Sequence, residues 1–169
     1  MRVSTVRVVR TRPHIPDLSG AWHALTDWVV RWVHLPGETL GETHWHIREV
    51  LLDPRQFADE ERSTIAHEAW HVRRGPAAPG YEAREERIVE GLAARELITI
   101  DQLVDALVWA YDVHELAEEL QVDAWLALAR LENLTPEEGR ELERRLDNAE
   151  LRFSARQPVD PGLGWVGRC

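Results

Sequence analysis

Residues 58–74 read ADEERSTIAHEAWHVRR and contain two histidines four positions apart, His67 and His71. We predict a helix over this stretch, here called the motif helix, because the Gly- and Pro-rich residues 75–80 that follow form a clear break. Residues i and i+4 of a helix share one face, so both imidazoles should lie one turn apart. Two ring nitrogens placed in this way can bind one Zn²⁺ at about 2.0–2.1 Å each.

Glu68 projects from the same turn at a neighbouring angle, which lets it reach a water molecule beside a metal rather than the metal itself. This is the position of a general base that takes a proton from the water while hydroxide attacks a polarised peptide carbonyl. The alternative is two surface histidines on a charged helix, since chance produces the pattern in roughly a few per cent of chains this rich in His and Glu.

A catalytic zinc needs a third protein ligand and one open position. A third histidine six residues after the second is absent, because Ala77 stands there. The helix predicted next, over residues 82–97, offers four glutamates instead: Glu82, Glu85, Glu86 and Glu90. We expect Glu82 and Glu85 to face water.

Glu86 falls on one helical stripe with Val89, Ala93 and Leu97, and this apolar stripe should pack inward against the motif helix. A glutamate at the head of an apolar stripe is badly placed for solvent and well placed for a metal. Glu86 is therefore the expected third ligand, and Glu90, one turn further on, is the alternative.

The N-terminal half outside the motif helix predicts one helix and a small sheet. Apolar residues with a 3.6 period predict a helix over residues 19–34, capped by Ser19. Residues 41–45 are typical of a turn, residues 46–52 of an edge strand, and the Val-rich residues 3–9 of a short strand. The expected fold class is α+β and mostly helical, with the small sheet packed on the motif helix.

The C-terminal half predicts further helices, over residues 101–111, 113–120 and 124–131. Thr135 as N-cap, Pro136 at the first helical position and Glu138 two residues later start the last helix. We expect a loose tail after about residue 152.

Composition limits where the protein works and what it binds. The single cysteine, Cys169, excludes an intrachain disulfide. Residues 1–16 lack the apolar core of a secretory signal, and no apolar stretch is long enough to span a bilayer. We therefore expect a soluble, cytoplasmic protein. Residues 99–150 carry 14 acidic residues and 4 arginines, and this acidic segment would repel nucleic acid.

A DNA-binding module is the main alternative, because residues 114–133 have the rhythm of a helix-turn-helix with its turn at Gln121-Val122. The second helix, however, offers only Arg130 as a cation, which favours two packing helices over DNA binding. Their core residues would be Leu116, Leu120, Leu126 and Leu131. A second alternative is a metal-binding regulator without proteolytic activity, which would use the same metal ligands.

The roles of two other groups of residues are left undecided by the sequence. His44 and His46 straddle Trp45 and would share one strand face, either as a second metal site or, as we favour, as ordinary polar residues of an edge strand. The group that stabilises a tetrahedral oxyanion is not fixed, and Tyr81, His114 and an arginine are the candidates.

The sequence resembles the ImmA/IrrE-type metallopeptidases over about residues 47–98. The matching stretches are ERSTIAHEAWH at residues 61–71 and ERIVEGLAARELI at residues 86–98. The resemblance implies a zincin-like fold and these roles: metal binding by His67, His71 and Glu86, and proton transfer by Glu68. Members of the family cleave helix-turn-helix repressors, and many are carried by phages and mobile elements or act in stress responses.

The chain departs from the family pattern at three positions near the site. Trp70 replaces the usual Gly before the second histidine, Glu90 replaces an Asn and Leu92 a Phe. A bulky Trp70 could reshape the substrate cleft, but no expected ligand is lost. The expected organisation is an N-terminal segment, a metallopeptidase domain, a helical segment packed on it and a flexible tail, at residues 1–20, 21–110, 111–151 and 152–169.

Overall fold

The computed structural model describes residues 16–154, with side chains described as far as residue 147, and it shows a mostly helical α+β fold. Within this part of the chain there are seven helices and one three-stranded sheet. In chain order they are α1 (Ser19–Ala24), β1 (Val29–Trp32), β2 (Gly41–His44), β3 (Glu49–Leu52), α2 (Ala58–Arg74), α3 (Glu82–Leu97), α4 (Ile100–Leu107), α5 (Val113–Leu120), α6 (Ala124–Glu132) and α7 (Pro136–Ser154).

The motif helix is α2, and its bounds and those of α3 are the predicted ones. α2 ends at Arg74 and is capped by Gly75, whose φ of 81° lies in the region that favours glycine. The Gly75 amide donates to the carbonyl of His71 at 2.9 Å and closes the last turn. Among the helices described, none is both long and apolar enough to cross a membrane.

The helix predicted over residues 19–34 is wrong, because α1 ends at Ala24 and the chain then forms β1. Ser19 is the first helical residue rather than the cap, and Asp17 accepts hydrogen bonds from its amide and hydroxyl at 2.9 and 3.0 Å. β1 pairs in parallel with β3, so that Val30 lies opposite Val50. Pairing with a strand 20 residues later in the sequence therefore outweighs the local helical period. The β-branched residues of β1 also favour a strand.

The prediction of a turn at residues 41–45 is also wrong, since these residues contain β2, which pairs antiparallel with β3. The strand order is β1-β3-β2, so β3 is the central strand and not an edge. The predicted strand over residues 46–52 begins later, at Glu49, because residues 45–48 form the turn between β2 and β3. The predicted strand over residues 3–9 lies outside the described residues.

The motif helix is held between two apolar clusters. Its Ala66 belongs to the larger cluster, which gathers α3, α4, α5 and α6. Its Ile65 and Ala69 belong to the smaller cluster, together with Val50 and Leu52 of the central strand. Close packing on both sides fixes the position of α2, which matters because α2 carries the histidine pair.

The acidic C-terminal segment consists of packing helices. Its leucines Leu116, Leu120 and Leu126 are buried, and Leu131 packs against the same cluster. The predicted start of the last helix is confirmed, since the Glu138 amide donates to Thr135 Oγ1 at 3.1 Å and the Thr135 amide donates to Glu138 Oε2 at 2.9 Å. That helix, α7, extends to Ser154, two residues beyond the predicted beginning of the tail.

Helix α4 ends earlier than predicted, at Leu107 rather than residue 111. Residues 108–111 form a turn that leads to Asp112, the N-cap of α5. The side chain of Asp112 accepts from the amides of His114 and Glu115 at 2.8 and 3.0 Å, and this cap competes with continuation of α4.

Candidate metal centre

Three side chains of α2 and α3 point their donor atoms at one place. The Nε2 atoms of His67 and His71 lie 2.9 Å apart, and Glu86 Oε2 lies 3.3 Å from each of them. His71 is buried, and His67 is partly buried. Among the described residues this is the group of His, Cys, Asp and Glu side chains that could hold a metal ion.

The spacing of the three donor atoms fits a small metal ion. A tetrahedral zinc with bonds of about 2.0–2.1 Å keeps its donor atoms about 3.3 Å apart. Both carboxylate-to-imidazole distances have that value, and the imidazole pair is slightly closer. Two imidazoles and one carboxylate are also a ligand set that zinc uses in catalytic sites, where a fourth position stays open.

Glu86 reaches this position because its stripe is buried below it, as predicted. Val89, Ala93 and Leu97 are 0–3% exposed and hold α3 against α2. Glu86 itself is exposed at the head of the stripe, so that its carboxylate can turn towards the histidines. The residues predicted from the helical period to be metal ligands are therefore brought together.

The electrostatics of the group favour a cation. Burial opposes charge on His67, but the hydrogen bond to Glu86 and the neighbouring carboxylates outweigh it and raise the pKa of this imidazole. Burial and the nearby His67 lower the pKa of His71. The hydrogen bond from His67 lowers the pKa of the Glu86 carboxyl. His67 therefore binds a proton more readily than His71, and the charged form of the Glu86 carboxylate that faces both ring nitrogens is favoured.

Glu68 lies next to the ligand group but is not part of it. Its side chain is buried, and burial raises the pKa of its carboxyl. Thr43 Oγ1 of β2 donates a hydrogen bond of 2.5 Å to Glu68 Oε2 and so fixes the orientation of the carboxylate. A buried carboxylate with a raised pKa and a fixed orientation is suited to take up a proton.

Strand β2 is held against α2 by contacts at its beginning. The Leu40 carbonyl accepts from the Asp53 amide at 2.8 Å and from Gln56 Nε2 at 2.9 Å. Gln56 Oε1 in turn accepts from Thr64 Oγ1 of α2 at 2.6 Å. The side chain of Asp53 is buried. Hydrogen bonds from Arg55 lower the pKa of its carboxyl, which therefore stays ionised.

Gly41 lets β2 approach the Glu68 carboxylate. A Cβ atom at Gly41 would lie 2.6 Å from Glu68 Oε1 and 2.6 Å from Thr64 Cγ2. Sequence reasoning missed both Gly41 and Thr43 as parts of the site. The polar residues around them show no alternation of apolar and polar residues that would mark a strand. The hydrogen bond between Thr43 and Glu68 of α2 joins residues more than 20 positions apart in the chain.

We expect Gly41→Ala to displace the Glu68 carboxylate while the protein still binds a metal. The melting temperature should fall, because one of two buried side chains must move, and any hydrolytic rate that depends on Glu68 should fall about tenfold or more. Thermal unfolding, metal analysis and initial rates measure these effects. Gly139→Ala is the matched control, since a Cβ atom there meets nothing within 4 Å. A Gly41→Ala protein with wild-type stability and rate would contradict the close approach.

The other glutamates of α3 have separate partners. Glu82 Oε1 accepts from the Gly80 amide at 3.0 Å at the exposed start of the helix. Glu85, which we expected to face water, is instead partly buried and paired with the Arg74 guanidinium. Glu90 Oε1 accepts from Trp125 Nε1 of α6 at 3.1 Å. The distances therefore favour Glu86 over Glu90 as the third ligand.

The remaining histidines do not form the strand face that the sequence predicts. His44 is the last residue of β2, with its Nε2 atom 2.9 Å from Glu42 Oε1, whereas His46 is exposed in the turn that follows. Tyr81 lies exposed before α3, and His114 lies exposed in the first turn of α5. A role for either of them, or for an arginine, in oxyanion stabilisation stays a prediction.

Tryptophans pack around the histidines. The ring of Trp45 meets His71 edge-on, with 6.1 Å between ring centroids. Trp70 packs against the larger apolar cluster, and the Arg73 guanidinium lies 4.5 Å from its ring centroid. Trp70 is partly buried and turned towards that cluster, and an effect of its bulk on a substrate cleft stays a prediction.

A cleft of about 400 Å³ opens beside the candidate metal centre. Gly41 of β2, His67 and Glu68 of α2, Glu90 of α3 and Trp125 of α6 contribute to its lining. Its volume is within the range of ligand-binding clefts. A molecule bound in this cleft would therefore contact the buried Glu68 and one of the metal-ligand residues.

Comparisons of the chain with models of known protein families, with curated proteins and with solved structures find no significant match.

Proposed function

We propose that this protein is a zinc-dependent metallo-endopeptidase with a zincin-like arrangement of helix and sheet. The observation that carries the proposal is the convergence of His67, His71 and Glu86 donor atoms within 3.3 Å of one another, beside the buried carboxylate of Glu68. Three protein donors with a general base next to them form the ligand set of a catalytic rather than a structural zinc site.

When bound, zinc supplies a Lewis acid that polarises a carbonyl oxygen and makes a water molecule easier to deprotonate. The residues of the chain provide the rest. Glu68 accepts the proton of the attacking water and then delivers it to the leaving amine. Thr43 keeps the Glu68 carboxylate turned towards the cleft, and Gly41 leaves the space that this carboxylate needs.

An extended peptide is the substrate that best suits the cleft. β2 is an edge strand in the described sheet and borders the cleft through Gly41. Edge strands bind extended peptides through backbone hydrogen bonds. A peptide paired with β2 would pass the Glu68 carboxylate.

We further propose that the protein substrate is a helix-turn-helix repressor, as the resemblance to ImmA/IrrE-type metallopeptidases implies. Cleavage of a repressor would release genes of a phage, a mobile element or a stress response. A repressor acts on DNA in the cytoplasm, and the proposed substrate therefore assigns the protein to that compartment.

Direct DNA binding by α5 and α6 is not favoured. Arg130, the cation expected on a recognition helix, is 2% exposed. It donates to the Ile98 carbonyl at 2.8 Å and to Glu138 Oε1 at 2.5 Å, so its charge is used inside the protein. A recognition helix needs basic side chains at its surface to contact phosphates.

Metal removal tests the proposal. Elemental analysis of the purified protein should find about one zinc per chain. The protein should cut members of a proteome-derived peptide mixture, with new termini mapped by mass spectrometry. A chelator should abolish the cuts and added zinc should restore them. Bound zinc without any cut in peptides or in helix-turn-helix repressors would favour the non-proteolytic regulator instead.

A further inference from the structure

Among the described residues, three carboxylates besides Glu68 and no arginine line the cleft beside the candidate metal centre. They come from three different helices, as Glu60 of α2, Glu90 of α3 and Asp123 at the N-cap of α6. The chain has no lysine, and His67 is the one basic side chain among the described residues that line the cleft. A cavity lined in this way concentrates negative potential where a ligand would bind.

Each of the three carboxylates is held by a neutral N–H donor. Glu60 accepts from the Phe57 amide at 2.8 Å, Glu90 from the Trp125 indole at 3.1 Å and Asp123 from the Leu126 amide at 2.6 Å. These bonds orient the carboxylates without neutralising them, and of the three only Glu90 is close enough to His67 to raise the pKa of that imidazole. Burial raises the pKa of the Asp123 carboxyl against hydrogen bonds that lower it, and the charge of Glu60 adds a smaller increase.

Some carboxylates elsewhere in the described part of the chain are neutralised by arginine. Arg74 pairs with Glu85 at the other end of α2, Arg73 pairs with Glu96, and the buried Arg130 pairs with Glu138. None of the three cleft carboxylates forms an ion pair with an arginine of the described residues.

Trp125 independently indicates the kind of ligand. Its side chain is 66% exposed, although it is the largest apolar residue of α6. The hydrogen bond to Glu90 fixes the indole at the wall of the cleft. The face of an indole attracts cations and packs against the methylene groups of long basic side chains.

We infer that this cleft is a subsite for the basic side chain, arginine or lysine, of the protein substrate, with Glu90, Asp123 and Trp125 as its specificity-determining residues. The inference rests on the proposed function, because it places the basic residue close to the peptide bond that the water deprotonated by Glu68 would attack. The aliphatic part of the side chain lies along Trp125, and the cationic end lies between the carboxylates of α3 and α6.

A binding experiment tests the subsite without relying on catalysis. N-acetyl-arginine amide and its neutral analogue N-acetyl-citrulline amide are titrated into the zinc-loaded protein. The readout is the Trp125 indole N–H signal in nitrogen-15 NMR spectra, assigned with Trp125→Phe. The arginine compound should shift the signal with at least about tenfold higher affinity, given the strength of a close charge pair. Equal affinities, or no shift with either compound, would overturn the subsite.

Paired variants localise the effect. Glu90→Gln combined with Asp123→Asn removes two charges, and Asn still caps a helix as well as Asp does. This double variant should lose the preference for arginine. Glu118→Gln with Glu132→Gln removes two charges from exposed positions that do not line the cleft and should retain the preference. A preference that survives in the first double variant would overturn the assignment.

Cleavage data separate this inference from the proposed function. In the peptide mixture, arginine and lysine should be enriched at one fixed position relative to the cut. Cuts without such enrichment would overturn the subsite and leave the peptidase proposal standing. A preference for the arginine compound in a protein that cuts nothing would support the subsite and contradict the peptidase proposal.

Discussion

Glu68→Gln should lower the rate of peptide hydrolysis by about 10²–10⁴-fold, the usual contribution of a general base. Gln has the shape of Glu, so its side-chain oxygen can still accept the hydrogen bond from Thr43 and pack beside Gly41. Its amide cannot take up a proton. Zinc content should stay at about one per chain, because Glu68 is not among the three converging donors.

Initial rates on the best-cut peptide and elemental analysis of the same samples measure the two effects together. Glu118→Gln is the matched control, since it makes the same change at an exposed position of α5 and should hydrolyse at the parent rate. If Glu68→Gln hydrolyses as fast as the parent, Glu68 is not the base. If it loses zinc, Glu68 contributes to metal binding in a way that its position outside the ligand group does not explain.

The helices whose signals are local could be predicted from the sequence. α2 and α3 are separated by the Gly/Pro break, and α7 begins at the box formed by Thr135 and Glu138, so neighbouring residues alone define their bounds. β1 and β2 could not be predicted in this way. Their stability depends on pairing with β3, and an apolar run such as Trp28 to Val33 fits a helical period as well as a strand.

The same distinction applies to the candidate metal centre. His67, His71 and Glu86 lie on two helices with clear periods, and the period alone places the three side chains between those helices. Thr43 and Gly41 lie on a strand that the sequence does not mark, and their roles arise from contacts across the fold. The candidate ligands were therefore predictable, whereas the residues that orient the neighbouring carboxylate were not.

A sequence motif does not show which acidic residues of the C-terminal segment face the cleft. The sequence shows an acidic C-terminal segment and leaves open whether this segment is a solvated helix face. In the structure Asp123 turns into the cleft while Glu118 stays exposed, so residues of similar charge from one segment have different surroundings. Under the proposed subsite, only the charge at helix ends that face the candidate metal centre would bear on substrate choice.

Glu86→Ala should lower the affinity for zinc by at least about 100-fold. Removing a group that only supports a metal ligand already lowers metal affinity by about 10–100-fold, and Glu86 is proposed as a ligand itself. The carboxylate oxygen of Glu86 lies 3.3 Å from both imidazoles, and Ala offers no donor atom in its place. Competition with a chelating dye of known zinc affinity measures the change. The melting temperature without added metal should change little, since the Glu86 side chain is half exposed.

Glu90→Ala decides between the two candidate ligands on α3. The Glu90 carboxylate is bonded to the Trp125 indole and influences His67 only through its charge, so its removal should reduce zinc affinity by less than about tenfold. The reverse outcome, with zinc lost in Glu90→Ala and kept in Glu86→Ala, would make Glu90 the third ligand. Because α3 would then have to rotate relative to α2, that outcome would also contradict the observed burial of Val89, Ala93 and Leu97.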